Sequence, residues 1–107
     1  LDEAVLKVKD DDGYRVIDLH REMPVCGDVA CYWEEINPYK NFMHVGRVAG
    51  LKPRKGLPST IFVLSKWDDT SGEFLHEPMD LPSSMKISKL EYWTDRPDPA
   101  QTRRVLQ

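Results

Sequence analysis

Two cysteines, three histidines and no apolar run near the roughly 18 residues of a membrane span leave this 107-residue chain few routes to common chemistries. The apolar stretch Ile61-Phe62-Val63-Leu64 suits a buried strand and is far too short to cross a bilayer. No signal peptide or lipidation motif is visible. The sequence also lacks a G-x-S-x-G elbow, a phosphate-binding loop, a dinucleotide fingerprint and an H-E-x-x-H pair. Histidines 20, 44 and 76 stand apart along the chain. A nucleophilic pair with Cys26 or Cys31 would therefore have to assemble in space. His76, inside a short strand, reads as an edge or solvent-facing residue.

Near misses are instructive. Asp10-Asp11-Asp12-Gly13 has the acids of a calcium loop, but aligning Gly13 with the loop glycine puts Val8 and Leu19 at ligand positions. A hairpin turn accounts for it better. Cys26, Cys31 and His44 imitate part of a zinc-finger spacing, yet positions 48 to 50, where a second histidine belongs, are Val48, Ala49 and Gly50. Glu34 and Glu35 are adjacent on a predicted strand and point to opposite faces, which is wrong for a paired acid and base. These readings leave no cofactor and no metal to expect.

What is present describes one globular domain spanning residues 1–107. The apolar fraction of 40% and charged fraction of 31% are globular values, and a chain of this length can fold without a metal. A net charge of −3 gives no bulk attraction to nucleic acid or to an anionic membrane, so any such contact must come from a local patch. The chain begins at Leu1, which fits a mature exported protein or a domain of a longer one.

Eight prolines and six glycines cut the sequence into short pieces, the mark of an all-β protein. Residues 4–9 and 14–21 read as a hairpin about the 10–13 turn. Further strands are expected over Val29–Ile36, 42–49, 59–67, 73–77 and 85–94, with a loop at 50–58. Asp98-Pro99 reads as a helix cap ahead of two turns over 100–107. The expected fold is all-β and mainly antiparallel: a small β-sandwich or a partly open β-barrel, with a short C-terminal helix.

Three features bear on function. Cys26 and Cys31 enclose Gly27-Asp28, good reversal chemistry, and a reversal there would set them opposite each other for a disulfide. Such a bridge would point to a secreted or periplasmic address; unbridged thiols are the cytosolic alternative. Arg47, Lys52, Arg54 and Lys55 lie within nine residues with no acid between them, and Tyr39 precedes them. Arginine forks suit carboxylate or phosphate, although a solvated loop accounts for the same composition. Trp33, Trp67 and Trp93 sit in predicted strands, and the pairs Tyr32-Trp33 and Tyr92-Trp93 must send one ring to each face of the sheet.

The expected function is a non-enzymatic protein-binding domain (inhibitor, immunity-type, adhesin or assembly module) that meets an acidic partner surface through Arg47, Lys52, Arg54, Lys55 and Tyr39. The alternatives are a small barrel binding single-stranded nucleic acid through residues 47–55, and an enzyme with a Cys/His site.

Overall fold

The structure is a computed structural model that describes residues 12–36, 39–66 and 72–98. They form β1 (Arg15–Val16), β2 (Val29–Ile36), β3 (Tyr39–Arg54), β4 (Leu57–Lys66), β5 (Glu73–His76) and β6 (Lys89–Thr94). All pair antiparallel in one open sheet of order β1-β6-β2-β3-β4-β5. The expected all-β, antiparallel class is the one observed, and no helix occurs among the described residues. The strand expected over 4–9, Trp67, the turn residues 68–71 and the helix expected over 100–107 lie outside them.

β2 has the expected boundaries because its β-branched and aromatic residues fit a pleated surface buried on both sides. The strand expected over 14–21 is shortened to two residues paired with β6. Asp18 ends it: its carboxylate accepts the His20 amide at 3.0 Å, and its carbonyl accepts the Arg21 and Glu22 amides. That local bonding offers the backbone an alternative to the ladder.

The largest departure concerns residues 50–58, expected as a loop. β3 runs on through Arg54, the chain reverses at Lys55-Gly56 with Gly56 at φ 71°, and β4 starts at Leu57. Pro53 and Pro58 are tolerated inside these strands because this part of the hairpin has no third strand to demand their missing N–H groups. Gly56 supplies the left-handed residue that a tight hairpin turn needs.

Cross-strand partners share a face, so the register sorts side chains into two sets. One face carries the buried cluster of Ala30, Tyr32, Val48, Val63 and Tyr92, joined by Ile17. The segment 77–88 folds over it: Leu81 and Ile87 pack on the cluster, and Tyr32 Oη donates to the Pro78 carbonyl at 2.7 Å. The opposite face carries Cys31, Trp33 and Trp93 with Phe42 against them, at ring-centroid distances of 5.3 Å for Trp33–Phe42 and 6.2 Å for Trp33–Trp93. Each Tyr-Trp pair is thus divided between the faces, as alternation requires.

Two polar constructions hold this sheet. Asp28, 4% exposed, accepts the Val25 amide at 2.9 Å and the Arg96 Nη2 at 2.7 Å through the same carboxylate oxygen. Arg96 also reaches Glu22 at 3.4 Å, and Arg15 pairs with Glu22. The cluster ties the turn before β2 to the residues after β6. On the Tyr32 face, His76 Nε2 lies 2.7 Å from Ser65 Oγ, and Nδ1 lies 2.6 Å from the Glu77 carbonyl. A carbonyl only accepts, so Nδ1 carries the proton and Nε2 accepts from the serine hydroxyl. His76 does sit on the edge strand, as expected, but it is buried rather than solvent-facing.

Candidate functional site

β3 is much longer than its neighbours. β2 pairs with it no further than Arg47, extended one step by backbone bonds between Val48 and Gly27-Asp28. β5 pairs with β4 only from Val63 onward. Residues 50–54 and 57–62 are therefore paired only with each other, and they form a two-stranded arm of roughly 17 Å. Every residue from 51 to 58 is exposed, so neither face of the outer arm is covered. At roughly 3.3 Å per residue, the 16 residues of β3 run about 50 Å. The longest dimension of the molecule is 49 Å.

The arm is basic because acids stop short of it. From Asn41 to Lys66 the chain has five cations (Arg47, Lys52, Arg54, Lys55 and Lys66) and no Asp or Glu. With a net charge of −3 overall, the remaining residues carry −8. Among the described residues, those outside this run carry 12 acids and 6 cations, a net −6, against the run's +5.

A β-bulge decides where those cations point. β4 alternates regularly through Phe62, Val63 and Leu64, whose partners on β3 are Gly50, Val48 and Arg47. Ala49 is the extra residue. It reverses the parity of β3, so that Arg47 before it shares a face with Lys52 after it; a second register irregularity, with the extra residue on β4, lies between Lys52 and Arg54. Without the bulge Arg47 and Lys52 would lie on opposite sides. Arg54 is held along the arm by a hydrogen bond from its Nε to the Pro58 carbonyl at 2.9 Å, and Lys55 occupies the tip.

The same face continues into a shallow groove of about 290 Å³ where the arm joins the sheet, lined by Val29, Val45, Arg47, Leu64, Lys66 and Glu73 among others. Val45 is 48% exposed there.

Four of the five predicted binding residues are thus brought to one end of the β3–β4 hairpin: Lys52, Arg54 and Lys55 occupy the arm and Arg47 its foot, beside β2, on strands and a turn rather than a loop. Tyr39 is not among them. It starts β3 opposite Ile36, fifteen residues before Arg54 and roughly 50 Å along the strand, and its side chain lies outside what the structure describes. Lys66 and the Ala49 bulge were not foreseen. The acid-free run to Lys66 was the available signal for the first.

Cys26 and Cys31 are not joined by a disulfide. The expected reversal does form, but it takes Cys26 into its own corner instead of setting the two cysteines opposite each other. The Asp28 amide donates to the Val25 carbonyl at 3.0 Å, with Cys26 and Gly27 (φ 98°) as the corner residues. From Asp28 the chain runs straight into β2, where Cys31 is buried opposite Val45 and Glu91 while Cys26 stays exposed. The expectation of an oxidising compartment rested on that bridge and loses its support.

Among the described residues no group of three His, Cys, Asp or Glu side chains has the arrangement to hold a metal, and no helix is long and apolar enough to cross a membrane. His44 lies beside Tyr32 with ring centroids 5.6 Å apart, and burial, then the nearby His76, hold its pKa below the ordinary 6.5. Burial also raises the Tyr32 and Tyr92 hydroxyls, the latter to about 12. These groups sit inside the fold, on the face opposite the arm's cations. Comparison of the chain with protein-family models, with curated proteins and with solved structures found no match.

Proposed function

We propose that this is a protein-binding domain whose β3–β4 arm engages an acidic surface of another protein. The observation that carries the reading is the arm itself: eight consecutive exposed residues, 51–58, at the outer end of a 28-residue hairpin, Tyr39 to Lys66, without an acid. An exposed ribbon of this kind adds nothing to the core, whereas cations aligned on one face suit carboxylates through charge-assisted hydrogen bonds.

Three features favour a protein over a nucleic acid. The arm's aromatic residue, Phe62, lies at its base and is partly buried, and residues 51–58 offer no ring on which a base would stack. Five cations supply few phosphate contacts, and the net charge of −6 on the other described residues (12 acids, 6 cations) opposes a long polyanion. Leu51 and Leu57 are exposed among the cations, 36% and 60% respectively, and apolar contact beside charge is the composition of a protein interface. Pro53 and Pro58 each remove an edge donor, which favours recognition through side chains over extension of the ladder.

The test is fluorescence anisotropy with a labelled deca-glutamate peptide at low salt. The double variant Lys52→Glu/Lys55→Glu is chosen because, unlike Arg54→Glu, it breaks no described hydrogen bond. It is expected to weaken binding at least tenfold, since reversal changes the arm by four charge units. Equal affinity of the variant, or tighter binding of the wild type to a DNA oligonucleotide of the same length, contradicts the proposal.

A further inference from the structure

The groove at the foot of the arm extends the contact and specifies the partner further. On the reading of the arm as an acidic-protein binder, the geometry points to an occupant of defined chemistry: an extended acidic segment of the partner, with one apolar side chain among its carboxylates seated on Val45 and Leu64. Val29, Val45 and Leu64 give the groove an apolar floor between three strands. Arg47 and Lys66 belong to this lining, with Glu73, the cross-strand partner of Lys66, as its acid. The groove's charge thus matches a carboxylate on the side of Arg47 and is less favourable at Glu73.

Continuity with the arm sets the orientation. The Ala49 bulge places Arg47 and Lys52 on the groove's own face, so one extended segment can run from the groove out along the arm without crossing the sheet. Along an extended chain, side chains on one face recur about every 6.8 Å, the two-residue spacing of Lys52 and Arg54 on β3. A purely acidic segment would leave Val45 half exposed. A segment with a leucine at the groove would cover it and remove that apolar surface from water.

Two labelled nonapeptides of equal charge test this: eight glutamates with a central leucine, and the same peptide with a central serine. The wild type is expected to bind the leucine peptide about fivefold more tightly, for partial burial of one side chain. Val45→Ser, at a position exposed enough to tolerate it, is expected to remove that preference. Lys52→Glu/Lys55→Glu is expected to weaken both peptides by a similar factor and keep the preference. Equal wild-type affinities for the two peptides, or a preference that survives Val45→Ser, overturns the groove inference. If arm reversal still weakens both peptides in that case, the arm reading stands. Absence of binding by either peptide overturns both.

Discussion

Gly46→Ala is expected to destabilise the domain by about 3 kcal/mol, lowering Tm by roughly 12–20 °C in thermal unfolding. A Cβ at this position would stand 2.5 Å from Val63 Cγ1 and 2.7 Å from Ser65 Oγ, with the Leu64 carbonyl at 3.2 Å. Neither side chain has room to move. Val63 is fully buried in the Tyr32 cluster, and Ser65, 2% exposed, is bound through its hydroxyl to His76 Nε2. Overpacking alone costs roughly 1–3 kcal/mol, and displacing Ser65 would add about 1 kcal/mol for the lost hydrogen bond. Gly50→Ala is the control. A Cβ there meets nothing within 4 Å, and the backbone does not need glycine, so the change should be neutral or slightly stabilising. Equal losses at the two positions would contradict the packing described for β3 against β4.

Asp28→Ala is expected to cost about 3 kcal/mol by urea denaturation, and Asp28→Asn clearly less. The buried carboxylate serves three donors, the Val25 amide, Arg96 and the Thr94 hydroxyl. Alanine leaves a partly buried amide and a half of an ion pair without their acceptor. The Arg96 side chain, 35% exposed, recovers some hydration, which keeps the figure at the low end for a broken pair. Asparagine retains an acceptor for Val25. The pH dependence has a definite sign. Burial works to raise the Asp28 pKa and is outweighed by hydrogen bonds from Arg96, Val25 and Thr94, so the folded value lies below the ordinary 3.8. A depressed carboxyl pKa gives stability that is present above the unfolded value and lost as pH falls through the folded one. Between pH 7 and 3 the wild type should therefore lose more stability than Asp28→Ala, and the two curves should converge.

The strands were legible where residue chemistry and burial agree. Val29–Ile36 could be read from its β-branched and aromatic run, and the divided Tyr-Trp pairs from simple alternation. The arm was hidden because its punctuation is ambiguous. Pro53, Gly56 and Pro58 mark a loop in a chain whose strands are all shared, but they are compatible with an unshared ribbon that has open edges. Its charge was visible all the same, since composition does not depend on conformation. The bulge was not visible, because Ala49 is the extra residue only relative to β4, and register is a property of two strands. The cysteines misled for a related reason. Gly27 does reverse the chain, yet one residue's difference in where the turn closes puts Cys26 at its corner and Cys31 in the strand beyond. His76 was correctly placed at an edge, but its burial was not legible because it depends on Ser65, a partner eleven residues away.

The claim on which the functional account turns is that contact with an acidic partner is made by the arm and not by the body. Residue-resolved amide shifts of isotope-labelled protein, titrated with deca-glutamate at low salt, test it most directly. The account predicts progressive shifts concentrated at Arg47 and residues 50–60, fading as salt is raised, with little change at β1, β5 and β6. Shifts spread evenly over the sheet, or confined to residues outside the hairpin, would contradict it.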